Sequence, residues 1–208
     1  MVVTPYILIG HIFFLVTQLF SKKSHLSTVS SDHVDIISKC KSNDRRAQNE
    51  LFARYAPTML SICKRYLTDH SRAEDALIKG FKKVFDHLKN YSGEGSFEGW
   101  IKRIMVNECL MIIRKDKKHQ HLIPIESKSY GSVAINDRLE YEDILKLLEG
   151  LPQGYRTIFN LYAIEGYKHR EIAELLGISI NTSKSQLILA RKKLRAMIKK
   201  KDNYKWTA

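Results

Sequence analysis

The stretch His169-Arg-Glu-Ile-Ala-Glu-Leu-Leu-Gly-Ile-Ser179 constrains the fold of this chain more than any other part of the sequence. Its apolar residues have helical spacing up to Gly177, where the pattern stops. Glycine suits the positive φ angle of a tight turn, and Ser179 suits the N-cap of a helix that begins just after it. A small residue, Ala173, stands where two such helices would cross. The stretch therefore predicts a helix-turn-helix.

The helix after this turn carries polar residues in its first turns, as expected for a helix that enters a DNA major groove. Hydroxyl and amide side chains hydrogen-bond to base edges, and cationic side chains pair with phosphates. The predicted groove-facing residues are Asn181, Thr182, Lys184, Ser185 and Gln186, with Arg191 as a further phosphate contact. The alternative is an ordinary corner of a helical bundle, which the strong positive charge of the following segment disfavours.

The formal net charge of +13 is concentrated in two segments of the 208-residue chain. Residues 184–208 contain nine Lys or Arg and one acidic residue, whereas residues 79–118 contain ten and five. The rest of the chain sums to zero. Two separate basic segments predict two surfaces that meet a polyanion, either nucleic acid or an acidic membrane.

The remaining sequence also has a helical pattern. Apolar residues recur at three- and four-residue spacing within residues 32–118 and again within residues 139–200, without strand-like alternation. Residues 119–138 have no period and contain a proline, a glycine and many polar residues, which predicts a linker. Residues 201–208 form a basic tail. The expected fold is all-α, with two small helical domains joined by a flexible linker.

Local signals mark two helix starts within the first of these domains. Ser71 with Glu74 predicts a capping box. The loop at residues 90–96 contains two glycines, which break the preceding helix, and Ser96 at its end predicts the N-cap of the next one.

Aromatic and basic residues alternate around that loop. Tyr91 lies in the loop, and Phe97 and Trp100 follow it directly. Unpaired bases stack on aromatic side chains beside a basic groove, so this stretch is a candidate binding site for a single strand. The alternative is that Phe97 and Trp100 belong to the core, since they lie at helical spacing.

Nothing in the sequence points to catalysis. The three cysteines, Cys40, Cys63 and Cys109, are too few and too scattered for a disulfide framework or a zinc site, and each is predicted to be a small core residue. His119 and His121 are separated by one residue in the linker, a spacing that readily arises by chance. We therefore expect no catalytic residue, metal, cofactor or small-molecule substrate, and a protein that is not an enzyme.

An apolar leader, residues 1–31, differs from the rest of the chain. Residues 2–20 are mostly apolar and are followed by Lys22 and Lys23, a length that is borderline for a membrane span. The segment lacks the basic start and the small-residue cleavage site of a secretory signal. Two hypotheses remain, an over-extended reading frame or a membrane segment that leaves the remainder in the cytoplasm.

Several motifs in a fixed order resemble the sigma-70 family of RNA polymerase sigma factors, in its extracytoplasmic-function group. Ala73-Glu-Asp75 followed by Phe81 is similar to the polymerase-binding helix of sigma region 2. Residues 96–107, followed by Arg114-Lys115, resemble the segment that melts and reads the −10 promoter element. There is also a resemblance to sigma region 4, which reads the −35 element, in residues 151–156, 166–167, 171–179 and 182–187. The resemblance covers about residues 34–200.

The resemblance implies a role for each candidate residue. The −35 element would be read by the groove-facing residues given above, and the loop at residues 92–96 would form a pocket for a flipped base. Residues implied in −10 binding and melting are Tyr91, Ser96, Phe97, Trp100, Arg103, Asn107, Arg114 and Lys115. Residues implied in polymerase binding are Glu74, Asp75, Phe81 and Lys82.

Three positions depart from the family pattern. Ile78 and Lys79 stand where the family usually has glutamine and then an acidic residue, on the polymerase-binding helix. Leu189 stands where the family often has an arginine that contacts phosphate.

The implied partners are core RNA polymerase, promoter DNA and an anti-sigma factor, commonly membrane-bound, and the implied location is the cytoplasm. One alternative is a helix-turn-helix regulator that binds DNA without polymerase, as a dimer on paired half-sites. That alternative gives residues 97–107 no role. Another, which rests only on residues 2–20, is a membrane-anchored signalling protein.

Overall fold

The computed structural model describes residues 31–120 and 141–205 of the chain. These residues form helices and no strand occurs among them, which confirms the predicted all-α class. The helices are α1 (Ser31–Lys41), α2 (Arg45–Tyr66), α3 (His70–His87), α4 (Phe97–Gln120), α5 (Tyr141–Glu149), α6 (Gln153–Phe159), α7 (His169–Leu176) and α8 (Ile180–Lys205). A 3-10 turn, Leu88–Asn90, follows α3, and a π-helical segment, Asn160–Ile164, continues α6.

The chain divides into two compact units. The first contains α1 to α4 and the second contains α5 to α8. All but the last residue of the predicted leader, residues 1–31, and most of the predicted linker, residues 119–138, lie outside the described residues. Helix α4 continues through the first two linker positions, and α8 runs on to Lys205, into the predicted basic tail. Within the described ranges, no helix is both long enough and apolar enough to cross a membrane.

The core of the first unit lies between α2, α3 and α4, which pack against one another, while α1 packs on α2. The three cysteines are buried and free, which confirms their predicted role as core residues. The largest fully buried side chains of this core are Leu51, Met59, Tyr66, Leu88, Ile101, Met105 and Leu110.

Helix α3 begins differently from the prediction. Its N-cap is Asp69, whose carboxylate accepts a hydrogen bond of 2.9 Å from the backbone N–H of Arg72. Ser71 already lies inside the helix, and the Glu74 carboxylate lies 3.2 Å from Nε2 of His70 instead of reaching a cap. The predicted Ser71–Glu74 capping box is therefore wrong, because an earlier carboxylate takes the cap, where it also meets the positive end of the helix dipole.

Helices α3 and α4 approach closely and are joined by charges. A Cβ at Gly80 would lie 2.3 Å from Sδ of the buried Met105, so the absence of a side chain sets the distance between the helices. Nζ of Lys83 lies 2.6 Å from Oε1 of Glu108, a carboxylate that is almost completely buried. Arg72 and Asp116 pair further along the same two helices. Helix α4 therefore has a fixed position relative to α3.

In the second unit, α6 and α7 pack against α8, and α5 touches it near its C-terminal part. This arrangement makes α8 both the central packing element and the helix that follows the turn. The fully buried side chains of the unit include Leu148, Ile158, Leu161, Ile172 and Ala190.

Candidate nucleic-acid interfaces

The turn between α7 and α8 has the predicted geometry. Gly177 is left-handed, with φ of 63°, and its N–H and that of Ile178 both donate to the carbonyl oxygen of Ala173. Oγ of Ser179 accepts a hydrogen bond of 2.9 Å from the backbone N–H of Thr182, which caps α8. Ala173 is buried where the helices meet. The predicted helix-turn-helix is therefore present, with Gly177 and Ser179 in the expected positions.

The six residues predicted to face the groove separate into three groups. Asn181, Lys184 and Ser185 are exposed on one face of α8. The hydroxyls of Thr182 and Ser179 are 2.8 Å apart, so Thr182 belongs to the cap.

Gln186 and Arg191 are half-buried within the unit. The side-chain amide of Gln186 covers Gly154 of α6, where an added Cβ would lie only 3.1 Å from its Oε1. The guanidinium of Arg191 lies 5.8 Å from the ring centroid of Tyr162, within range of a cation–π interaction. These two side chains therefore hold α8 against the rest of the unit in the free protein.

A polar contact that the sequence pattern does not predict fixes the start of α7 against α8. The ring of His169 stacks on Tyr162 at 4.5 Å, and its Nδ1 is hydrogen-bonded to the buried Oγ of Ser183 at 2.9 Å. Burial lowers the pKa of His169 from its ordinary value, and the charges of Lys184 and Arg191 lower it further. Neutral His169 is thus the form that fits this site.

A cluster of aromatic side chains stands at the start of α4 in the first unit. The rings of Phe97 and Trp100 stack at 5.6 Å, and Tyr91 lies 5.1 Å from Phe97 and 5.2 Å from Trp100. Phe97 is buried and also meets Tyr55 at 5.7 Å, edge to face. Tyr91 and Trp100 are only partly buried. Phe97 therefore supports the cluster from the core, and Tyr91 and Trp100 form its accessible part.

The loop beside this cluster contains two glycines with positive φ angles. Gly93 and Gly95 have φ angles of 83° and 76°, and a Cβ at either position would meet nothing within 4 Å. The Tyr91 hydroxyl donates to the Gly95 carbonyl at 3.2 Å, and Nζ of Lys41 donates to the Tyr91 carbonyl at 3.1 Å. Ser96 accepts from the N–H of Gly99, which confirms it as the cap of α4. The loop is thus anchored at Tyr91 and at the start of α4.

The remaining residues predicted to bind the −10 element lie along α4. Arg103 and Asn107 are exposed at four-residue spacing, and Arg114 and Lys115 are exposed two turns further on. These exposed side chains extend along α4 away from the aromatic cluster. The positive charges of Arg103, Arg114 and Lys115 suit the negatively charged backbone of a nucleic acid.

The four residues predicted to bind polymerase do not share one environment. Glu74, Asp75 and Lys82 are exposed on α3. Phe81 is 2% exposed, with its ring 4.7 Å from that of Phe52, so it supports α3 from beneath. Ile78, 59% exposed, is an apolar residue on the exposed part of this helix.

No group of three or more metal-ligating side chains occurs among the residues that the structure describes.

Two family models match the chain, and each covers one of these surfaces. The model described as Sigma-70 region 2 matches residues 51–119, which contain the aromatic cluster and α3. The model described as Sigma-70, region 4 matches residues 141–194, which contain the helix-turn-helix. Together the two matches cover more than half of the chain.

Individual proteins similar to the chain carry related names. ECF RNA polymerase sigma factor SigE of Mycolicibacterium smegmatis is 28% identical over 160 residues, which cover 73% of this chain and 62% of that protein. RNA polymerase sigma factor SigV of Bacillus subtilis is 28% identical over 66% of this chain and 82% of its own length. ECF RNA polymerase sigma factor SigW of Bacillus subtilis is 26% identical over 78% of this chain and 95% of its own length. The chain thus spans less than two thirds of SigE and most of SigV and SigW.

Proposed function

The chain belongs to the sigma-70 family of RNA polymerase sigma factors, in its extracytoplasmic-function group, and from this premise we propose which surfaces carry out its steps. As a sigma factor it binds core RNA polymerase, recognises the −35 and −10 promoter elements, melts the −10 region and directs transcription initiation. The observation that carries the assignment of surfaces is the exposed basic face of α8 behind the Gly177 turn.

In the −35 major groove, Asn181 and Ser185 hydrogen-bond to base edges and Lys184 pairs with phosphate. All three are exposed on the face of α8 that lies away from the core. Thr182, Gln186 and Arg191 remain predicted contacts. In the free protein they hold α8 in place, so they reach DNA only by changing rotamer.

At the −10 element, Tyr91 and Trp100 stack on unpaired bases. The loop at residues 92–96, which Tyr91 contacts through the Gly95 carbonyl and which has open space at both glycines, receives a flipped base. Phe97 and Ser96 hold the platform and the start of α4 in place. The exposed residues that follow along the helix contact the strand backbone: Arg103, Asn107, Arg114 and Lys115.

Core polymerase binds the exposed face of α3, through Glu74, Asp75 and Lys82, while the buried Phe81 keeps that face in position. Ile78 adds an apolar contact at a position that is usually polar in the family. Because polymerase works in the cytoplasm, the protein acts there. The family resemblance adds an anti-sigma factor, commonly membrane-bound, as a further partner.

The protein itself makes and breaks no covalent bond. Unpairing and flipping a base costs a few kcal/mol, which stacking and backbone contacts at the −10 site must offset. Strand separation is thus driven by binding free energy.

Co-purification with polymerase tests this proposal. We expect the full-length chain, tagged and taken from a soluble lysate, to elute with core polymerase. Reversing two exposed charges with Glu74→Lys and Asp75→Lys should weaken the complex by about tenfold or more, since a contact surface selected for two negative charges then meets two positive ones. The matched control is Asp35→Lys, an exposed acidic residue on α1 that precedes the matched region.

Two outcomes contradict the proposal. One is a chain that partitions only with membranes and never with polymerase. The other is a chain that binds DNA tightly as a dimer on paired half-sites without polymerase, as a helix-turn-helix regulator would.

A further inference from the structure

Ile188 is the most exposed of the large apolar side chains in the described ranges, at 64%. A single exposed isoleucine is common on protein surfaces and needs no explanation by itself. Its position on α8 is what carries information. It follows Asn181 by seven residues, Lys184 by four and Ser185 by three, so all four lie on one helix face.

The same face is strongly cationic on both sides of Ile188. Lys184 precedes it by one turn, Lys192 follows it by one turn and Arg195 by two, and all are exposed. An apolar protein surface would have to desolvate these charges in order to reach Ile188. A polyanion that presents an apolar group between its charges matches the pattern much better.

Duplex DNA has this combination in its major groove. Phosphates line both edges of the groove, and the C5-methyl group of thymine projects into it as an apolar feature of the A·T pair. A branched apolar side chain at the centre of a cationic face is suited to that methyl group.

The groove face of α8 has few other base readers. Thr182 is engaged with the Ser179 cap, and Gln186 covers Gly154. Of the residues predicted to read bases, Asn181 and Ser185 are the ones with exposed side chains. Ile188, an exposed side chain one turn beyond Ser185, is therefore placed to contact a further base along the −35 element.

We propose that Ile188 contacts the C5-methyl group of a thymine in the −35 element and so selects an A·T pair over a G·C pair at that position. This inference rests on the proposed function, in which α8 enters the −35 major groove. Leu189 lies about 100° further round the helix and does not share this role.

Removal of one methyl group from DNA tests the contact directly. The −35 element is first defined by mapping transcription starts after overexpression. Each thymine of that element is then replaced singly by 2′-deoxyuridine, and the affinity of polymerase carrying the full-length chain is measured. One position should lose about fourfold in affinity, which corresponds to about 0.8 kcal/mol for one buried methyl-sized group.

A double-mutant cycle assigns that loss to Ile188. The Ile188→Ala variant should bind the unmodified duplex about fourfold more weakly and show no further loss at the sensitive position. Ile188→Val should retain part of the effect. Leu189→Ala is the matched control, an exposed apolar residue of the same helix, and it should show the full loss with deoxyuridine.

The inference is overturned if no thymine is sensitive, if Ile188→Ala retains the full deoxyuridine effect, or if Leu189→Ala removes it. It is also overturned if Ile188→Ala weakens polymerase binding while DNA affinity is unchanged, since the side chain would then contact protein. Sequence-specific binding without a methyl effect contradicts this inference alone. A complete lack of promoter binding contradicts the proposed function as well.

Discussion

His169 and Ser183 are fourteen positions apart in the sequence, but Nδ1 of the histidine and Oγ of the serine lie 2.9 Å apart. The contact joins the first residue of α7 to a fully buried position on α8. Together with the stack on Tyr162, it holds the start of α7 against α8 and the π-helical segment. The exposed face of α8 is therefore held by a polar contact as well as by its apolar side.

The lowered pKa of His169 predicts a pH-dependent stability for the second unit. Above the ordinary value of 6.5, histidine is neutral in the folded and the unfolded state and stability is unaffected. As pH falls through 6.5 the unfolded chain binds the proton first, so stability falls until the folded pKa is also passed. Urea unfolding between about pH 7.5 and pH 5.5 should show this loss. His169→Gln should reduce it.

The control for that experiment is His87→Gln, an exposed histidine at the end of α3 in the other unit. The His87→Gln variant should lose as much stability on acidification as the unchanged protein does. An equal pH dependence in the His169→Gln variant would show that the contact with Ser183 and Tyr162 has no influence on protonation.

The salt dependence of promoter binding should reveal the phosphate contacts of α8. Each phosphate contact contributes about 0.9 to the slope of log affinity against log salt. Lys184→Gln should therefore flatten the slope by about 0.9, and the double change with Arg191→Gln should flatten it further. The matched control is Lys146→Gln, an exposed lysine on α5 in the same unit, which should leave the slope unchanged. An unaltered slope in the double variant would contradict the proposal that α8 enters the −35 major groove.

Trp100 should matter for strand opening rather than for duplex binding. Stacking of a base on an aromatic side chain contributes about 1–3 kcal/mol, so Trp100→Ala should reduce the population of melted complex by on the order of tenfold or more. Permanganate reactivity of −10 thymines measures strand opening. Competition binding with a −35 duplex measures duplex binding. Trp100→Phe keeps an aromatic ring and should restore most of the reactivity. Undiminished reactivity in the alanine variant would argue that the ring is only a core residue.

Alanine substitutions at two glycines of the first unit should have opposite effects, because only Gly80 lies where α3 and α4 approach closely. Gly80→Ala places a methyl group against the buried Met105 and should destabilise the first unit by about 1–3 kcal/mol. Gly99→Ala, at an exposed position of α4, meets no atom closer than 3.6 Å and should stabilise the first unit by about 0.5–1 kcal/mol. Denaturant unfolding of both variants measures the difference. A stabilising Gly80→Ala would mean that Met105 moves aside without cost.

Local structure followed closely from the sequence. Gly177, Ser179 and Ser96 have the predicted turn and cap positions, because each role depends on a few neighbouring backbone groups. The start of α3 was predicted wrongly because Asp69 competes with Ser71 for the same cap, and two local signals of similar strength were present.

The face of α8 could be predicted only in part. Helical spacing places Asn181, Lys184 and Ser185 on one side, but the sequence does not reveal that Gly154 of α6 receives the side chain of Gln186. The exposure of Ile188 could not be predicted either, since apolar residues are expected to be buried. The contacts of His169 join residues that are distant in the sequence, and no local signal predicts them.

The most direct test of the account is transcription in vitro from a promoter mapped in cells. Core polymerase alone should produce no specific transcript from that template. Addition of the full-length chain should produce one transcript, starting at the mapped site and reduced strongly by Trp100→Ala. Efficient, correctly placed initiation without the chain, or no initiation when the chain is bound to polymerase, would contradict the assignment of this protein as the factor that directs initiation.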